Sequence, residues 1–274
     1  MRAQNLAISI PPGDKLCDKN CEYCVSRMTG YLKVNRALIG RNLPKVRELA
    51  RVGQVTSVLL TGKGEPTLNE QDLFWMMSMF ADLPLELQTN GLKLHKDFKL
   101  LEALARSGLN TLAVSIDSLA QFVNYYEMLA RSKEIGLLTR ATINITSKLP
   151  RDINFEWLVG LCQESYVDQL LLRNIVIPNN VPSDSPTAKW IQENVDQSVY
   201  PRLQDELRRA CEKDGMMLRR LNFGAIVYDY QGISVTYSDY CVQDANDGKD
   251  IRSLIFMEDG HCYTSWNSMA SVLF

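Results

Sequence analysis

Residues 57–68 read SVLLTGKGEPTL, an apolar run followed directly by a glycine-rich turn. The run does not alternate strictly between polar and apolar residues, which is typical of a strand covered on both faces of a parallel sheet. Similar runs occupy residues 5–10, 85–91, 111–117, 140–146 and 169–178, and segments with helical periodicity separate them. This alternation predicts repeated βα units and therefore an α/β fold.

Six βα units before residue 178 make about three quarters of an eight-stranded α/β barrel. We therefore predict a partial (β/α)6 TIM-like barrel over residues 1–180. Residues 190–215 can form one long helix, and β-like runs follow, the last of them around Asp259-Gly260, a pair typical of a hairpin turn. For residues 181–274 we predict a helix and a small β-rich C-terminal appendage that covers the open side of the barrel.

Length and composition exclude several classes of protein. A chain of 274 residues can bury a core without disulfides, and a net charge of −2 argues against a protein that coats nucleic acid. Two histidines, His95 and His261, are too few for a three-histidine metal site. The sequence has neither a signal peptide nor an apolar run long enough to cross a bilayer, so we expect a cytoplasmic protein and no membrane partner.

The motif CDKNCEYC places Cys17, Cys21 and Cys24 in the loop that follows the first predicted strand. Clustered cysteines in a reducing compartment indicate metal or redox chemistry. Three thiolates on a four-iron cluster would leave one iron open to bind a small molecule. A zinc ion with a fourth ligand from His95, His261 or Cys262 is the alternative, but a second cysteine knuckle is missing, so we favour iron–sulfur.

Other polar turns fall at the same predicted edge of the sheet. Ligand chemistry in a barrel belongs at the carboxyl ends of the strands. The turn containing Glu65 follows the second strand, and its carboxylate could meet a cationic amine, while a flanking glycine lets backbone approach a ligand closely. The segments 89–91 and 115–117 end the next two strands. Together these turns predict one binding rim.

At this point the sequence resembles the radical S-adenosylmethionine enzymes. The resemblance rests on the C-x3-C-x2-C motif with Tyr23 before its last cysteine, and on the GEP turn some forty residues later. LQTNG and VSIDS add support, and the resemblance covers residues 5–178. One departure is that Lys63 stands where the family usually has the first glycine of Gly-Gly-Glu-Pro.

The resemblance implies two cofactors, a 4Fe–4S cluster and S-adenosylmethionine. Cys17, Cys21 and Cys24 would hold the cluster, and the amine and carboxylate of S-adenosylmethionine would chelate the fourth iron. One-electron reduction of the sulfonium would give a 5′-deoxyadenosyl radical that abstracts hydrogen from a substrate, with electrons from a donor such as flavodoxin or ferredoxin. Residues implied in binding S-adenosylmethionine are Tyr23, Gly64, Glu65, Thr89, Asn90, Ser115, Asp117, Ile143 and Ile177.

A basic stretch follows the cysteine loop. Seven lysines and arginines lie between Arg27 and Arg51, with Glu48 as the one acidic residue among them. They form either a solvated helix face or a positive rim for an anionic, small-molecule or nucleotide-like substrate. Candidate substrate contacts are Arg27, Lys33, Arg36 and Lys63. Cys241 and Cys262 are candidate hydrogen-atom donors, although we favour a structural role for each of them.

Two other functions fit parts of the sequence. An activating enzyme that installs a glycyl radical on a partner protein is similarly compact, but a β-rich tail does not suggest one. The second is a zinc-binding module that has no catalytic activity. Because 16 residues precede Cys17, we expect no leader-peptide recognition domain before the motif.

Overall fold

The computed structural model of the protein describes residues 2–178, 181–221, 225–238, 250–266 and 268–274. Six parallel strands pair in chain order, as predicted. They are β1 (Ala3–Ser9), β2 (Val58–Thr61), β3 (Leu85–Thr89), β4 (Leu109–Ile116), β5 (Leu138–Asn144) and β6 (Gln169–Arg173).

Helices connect these strands. They are α1 (Val25–Thr29), α2 (Arg36–Val52), α3 (Glu70–Met79), α4 (Phe98–Arg106), α5 (Ala120–Asn124), α6 (Tyr126–Glu134) and α7 (Phe155–Glu164). The predicted partial TIM-like α/β barrel is therefore confirmed. Among the described helices, none is both long and apolar enough to cross a membrane.

The C-terminal third adds α8 (Pro186–Asn194), α9 (Val199–Asp214) and five strands, β7 (Met216–Arg220), β8 (Ile226–Tyr230), β9 (Ile233–Ser238), β10 (Ile251–Phe256) and β11 (Cys262–Tyr263). Strand β10 pairs parallel with β1, and β9 pairs parallel with β6. Strands β11, β8 and β7 continue the sheet in antiparallel orientation. The predicted β-rich tail thus extends both edges of the six-stranded sheet. A boundary at residue 180 stays a prediction.

The single helix predicted over residues 190–215 is wrong, because the chain breaks between α8 and α9. Asp196 accepts hydrogen bonds from the backbone N–H and the hydroxyl of Ser198, at 2.9 and 2.6 Å. Such a turn competes with helical hydrogen bonding. Pro201 lies in the first turn of α9, where its missing N–H costs nothing, whereas the interior of a long helix would reject it.

The two faces of the sheet have different environments. Leu6 and Ile8 lie on the face that packs against helices, in one cluster with Leu43 and Val46 of α2. The opposite face lines the barrel interior and carries polar groups. Glu86 there forms an ion pair with Arg140 at 2.7 Å, and Arg140 also donates to Gln169 at 2.8 Å. The interior face of the sheet therefore carries paired charged and polar side chains.

Candidate active site at the carboxyl end of the barrel

The cysteine loop lies across the end of β1 and is fixed by the turn after β2. The backbone N–H of Glu65 donates to the carbonyl of Leu16 at 2.9 Å, directly before Cys17. A Cβ on Gly64 would lie 1.9 Å from the same carbonyl oxygen. Glycine is therefore required at position 64, since real Cβ atoms do not approach oxygen so closely.

Glu65 is buried and accepts four hydrogen bonds. Its Oε1 accepts from the N–H and hydroxyl of Thr67, at 3.1 and 2.7 Å, and from the Thr89 hydroxyl at 2.6 Å. Its Oε2 accepts from the backbone N–H of Asn90 at 2.8 Å. Burial raises the pKa of Glu65, and these donors, which favour the charged form, oppose that effect. The carboxylate thus joins the ends of β2 and β3.

A second network joins the cysteine loop to the ends of β4 and β5. Asp117 forms an ion pair with Lys19 and accepts hydrogen bonds from the Tyr23 hydroxyl and from Asn144, the latter at 2.9 Å. Burial acts to raise the pKa of Asp117, but Lys19 and the hydrogen bonds outweigh it, so the pKa lies below its ordinary value. The same burial and the nearby Asp117 carboxylate raise the pKa of Tyr23. Asp117 therefore anchors the loop through Lys19 and Tyr23.

The three motif thiols are free and partly buried. Burial raises the pKa of Cys17, and it raises the pKa of Cys21 to about 11. Two N–H groups point at the Cys17 sulfur, the backbone of Lys19 at 3.4 Å and the Asn90 amide at 3.8 Å. The Lys19 ammonium opposes the shift at Cys21. Hydrogen bonds and a cation next to sulfur stabilise thiolate ligands.

Within the described ranges, no three cysteine, histidine, aspartate or glutamate side chains converge closely enough to hold one metal ion. A mononuclear zinc site would need such convergence. An iron–sulfur cluster takes each thiolate on a separate iron, so its ligands need not meet at one point. The three thiols of the loop are compatible with the ligand chemistry of an iron–sulfur cluster.

Helix α8 covers one side of the loop. The rings of Tyr23 and Trp190 lie 5.7 Å apart, and Ile191 is buried in the same apolar cluster. Ile177 packs against this cluster, so the structure brings Tyr23 and Ile177 together. Ile143 does not join them, because it is fully buried in the main core, on the helix-facing side of β5.

Of the four candidate substrate contacts, two are held by other protein groups and two are exposed. Arg36 donates to both carboxylate oxygens of Asp72 at 2.8 Å, and Lys63 donates to the carbonyl of Gly30 at 2.5 Å. Neither cation is therefore directed at a substrate in this arrangement. Arg27 and Lys33 are exposed beside the loop. Ser115 lies half-buried on β4, on the same face as Asp117.

Of the two candidate donor cysteines, the structure describes Cys262 and does not bring it to this site. Cys262 is fully buried in the main core, and burial raises its pKa to about 12. Cys241 lies outside the described residues. Cys162 and Cys211 are buried in the core, where they pack as small apolar side chains.

Several residues at the site were not anticipated from the sequence. Lys19 and Asn144 complete the Asp117 network, Trp190 covers Tyr23, and Glu258 accepts from Ser9 at 2.7 Å. Asn144 lies near the end of the run predicted over residues 140–146 and ends the observed β5, so the strand-end argument could have included it. The others depend on long-range contacts that no local pattern reports.

Comparison with known proteins agrees with this geometry. A family model described as the Radical SAM superfamily matches residues 15–146, which include the cysteine loop and the strands β2 to β5. Residues 15–146 of the chain therefore belong to the radical SAM superfamily. The family implies a 4Fe–4S cluster and S-adenosylmethionine. A comparison with curated protein sequences finds no match.

Solved structures share the fold at low sequence identity. Streptococcus suis SuiB bound to S-adenosylmethionine has a TM-score of 0.61 and 16% identity, over 97% of this chain and 60% of SuiB. SuiB bound to precursor peptide SuiA has a TM-score of 0.61 and 16% identity, over 96% and 59%. anSMEcpe with bound AdoMet and Kp18Cys peptide has a TM-score of 0.65 and 14% identity, over 99% and 77%. The chain thus spans about 60% of the length of SuiB.

Proposed function

We propose that Cys17, Cys21 and Cys24 hold a 4Fe–4S cluster and that the chain cleaves S-adenosylmethionine reductively to abstract a hydrogen atom from a substrate. The observation that carries the proposal is the set of three free, partly buried thiols on one loop at the barrel mouth, with N–H donors at Cys17. When bound, the cluster and S-adenosylmethionine supply the one-electron chemistry.

The chain's own residues bind, orient and exclude water. Gly64 and Glu65 lie beside the cysteine loop, where they would line the methionine amine. Thr89, Asn90 and Ser115 follow on neighbouring strand ends and would meet the methionine carboxylate or the ribose. Tyr23 and Ile177 offer an apolar surface for adenine, under the cover of Trp190. Asp117 orients Tyr23 and Lys19 rather than offering a free carboxylate.

Alanine substitution of the cysteines tests the cluster assignment. The variants C17A, C21A and C24A should each lose the brown colour after anaerobic reconstitution and form no 5′-deoxyadenosine with dithionite. The control C162A removes a thiol from the core and should keep both properties. Full 5′-deoxyadenosine formation by the three motif variants, or zinc in place of iron in the wild type, would refute the assignment.

For the substrate we propose a small or nucleotide-like anion. Arg27 and Lys33 are exposed at the rim and carry this proposal. A peptide is the second candidate, because SuiB and anSMEcpe, which share the fold, have structures with bound peptides. Stimulation of 5′-deoxyadenosine formation by nucleotides, and its loss in the R27A/K33A variant, is the expected result. Stimulation by peptides alone, unaffected by that variant, would favour the second candidate.

A further inference from the structure

The turn of residues 62–65 contacts both ends of the cysteine loop. At the Cys17 end, Glu65 donates its backbone N–H to Leu16 at 2.9 Å. At the Cys24 end, the Lys63 ammonium donates to the carbonyl of Gly30 at 2.5 Å and to the hydroxyl of Thr29 at 3.5 Å. One short turn therefore holds the loop before its first cysteine and after its last.

Helix α1 connects Gly30, which Lys63 contacts, to Cys24, the last cysteine of the loop. Cys24 is the residue that precedes the helix, and its carbonyl accepts from Arg27 at 3.0 Å and from Met28 at 3.4 Å. The helix ends at Gly30, which has φ +77°. The last carbonyls of a helix lack partners within the helix, and a cation there is favourable. Because α1 is a single five-residue unit, fixing its end restricts Cys24 at its start.

Two carboxylates of the C-terminal hairpin interact electrostatically with Lys63. Burial lowers the pKa of Lys63, and the carboxylates of Glu258 and Asp259 act in the opposite direction. Glu258 is itself buried and accepts from the backbone N–H of Leu32 at 3.3 Å. Its carbonyl accepts from Asn35 at 3.1 Å. The segment after Cys24 is therefore held from both sides, by Lys63 and by Glu258.

We propose that Lys63 is a positioning residue that fixes the Cys24 end of the cysteine loop through α1. The proposal concerns the conformation of the loop in the metal-free protein. It rests on the proposed function only in its consequence for iron loading.

Thiol alkylation in the metal-free, reduced protein tests the proposal without reference to iron. In K63M, iodoacetamide should modify Cys24 roughly fivefold faster than in the wild type, the factor expected for loss of about one net hydrogen bond. The rate at Cys17 should be unchanged, because the contact of Glu65 with Leu16 remains. K63R should restore the wild-type rate, and K99M, at an exposed position on α4, should behave as the wild type.

Iron content then measures the effect of Lys63 on cluster loading. K63M should bind less iron per chain after reconstitution than K63R and K99M. Should K63M fail to fold, the shorter and neutral K63Q provides the same comparison. Equal rates at Cys24 in wild type and variants, or parallel acceleration at Cys17 and Cys24, would overturn the positioning role. A selective change at Cys24 in a protein that binds no iron would instead leave the positioning role standing and refute the cluster.

Discussion

The carbonyl of Leu16 faces Gly64 so closely that a Cβ on Gly64 would lie 1.9 Å from its oxygen and 2.9 Å from its carbon. The neighbouring residue Glu65 donates its N–H to the same carbonyl. The turn after β2 is therefore in direct backbone contact with Leu16, the residue before the first cysteine. Neither can move without the other.

Replacing Gly64 with alanine should displace the cysteine loop. Both obstructing atoms belong to the backbone, so no side chain can move aside, and we expect a loss of about 1–3 kcal/mol in the free energy of unfolding. Urea unfolding of the metal-free protein measures it. The control Gly160→Ala lies in α7 with open space around it and should gain about 0.5–1 kcal/mol. A G64A variant as stable as the wild type would contradict the contact.

The pair Lys19–Asp117 should be strongly coupled. D117N leaves the buried Lys19 ammonium without its carboxylate, so it should cost more stability than K19M, which leaves Asp117 bonded to Tyr23 and Asn144. The double variant should cost clearly less than the sum of the two. Additive losses in urea unfolding would show that the pair is not coupled.

The same carboxylate predicts a pH dependence. The pKa of Asp117 is lower in the folded protein than its ordinary value, so its contribution to stability is present above about pH 4 and is lost on further acidification. The wild type should therefore lose more stability than D117N between about pH 5 and pH 3. Parallel stability curves for the two proteins would contradict the lowered pKa.

The Cys21 thiol should be alkylated slowly in the metal-free protein. A pKa of about 11 in place of 9.0 lowers the thiolate fraction at neutral pH roughly hundredfold, while the higher basicity recovers part of the reactivity. We expect alkylation roughly tenfold slower than in the urea-unfolded chain, with a rate that keeps rising above pH 9. A plateau below pH 9 would show that the thiol is not buried as described.

Stability and binding of S-adenosylmethionine should both depend on the negative charge of the Glu65 carboxylate. The Glu65 carboxylate accepts hydrogen bonds from Thr67, Thr89 and Asn90. In E65Q the side-chain N–H₂ would face one or more of these donors, which should lower the free energy of unfolding by about 1–3 kcal/mol. E127Q changes an exposed glutamate of α6 and is the matched control. Thermal unfolding and calorimetric titration with S-adenosylmethionine should both show weakening in E65Q. Unchanged values for both would remove Glu65 from the site.

The sequence predicted the barrel strands because each is a short apolar run that ends in a polar turn, and this pattern is local. It also predicted the hairpin at Asp259-Gly260, where Gly260 has φ +84°. It did not predict the break before α9, which depends on the turn at Asp196. It also did not predict that α2 would begin at Arg36 and run through Pro44, since buried Leu43 and Val46 support a helix that local propensity disfavours.

The local order of residues determined the family resemblance of this chain, because the cysteine spacing, the GEP turn and the βα rhythm each depend on short stretches of sequence. Only the tertiary structure decided which side chains share a site. It paired Arg36 with Asp72, so that Arg36 no longer belongs to the basic rim, and it buried Cys262 in the core. It also brought Trp190 to the cysteine loop and Glu258 to the segment that follows α1. These contacts join residues far apart in the chain, and their free energy comes from burial and charge pairing that exist only once the sheet has formed.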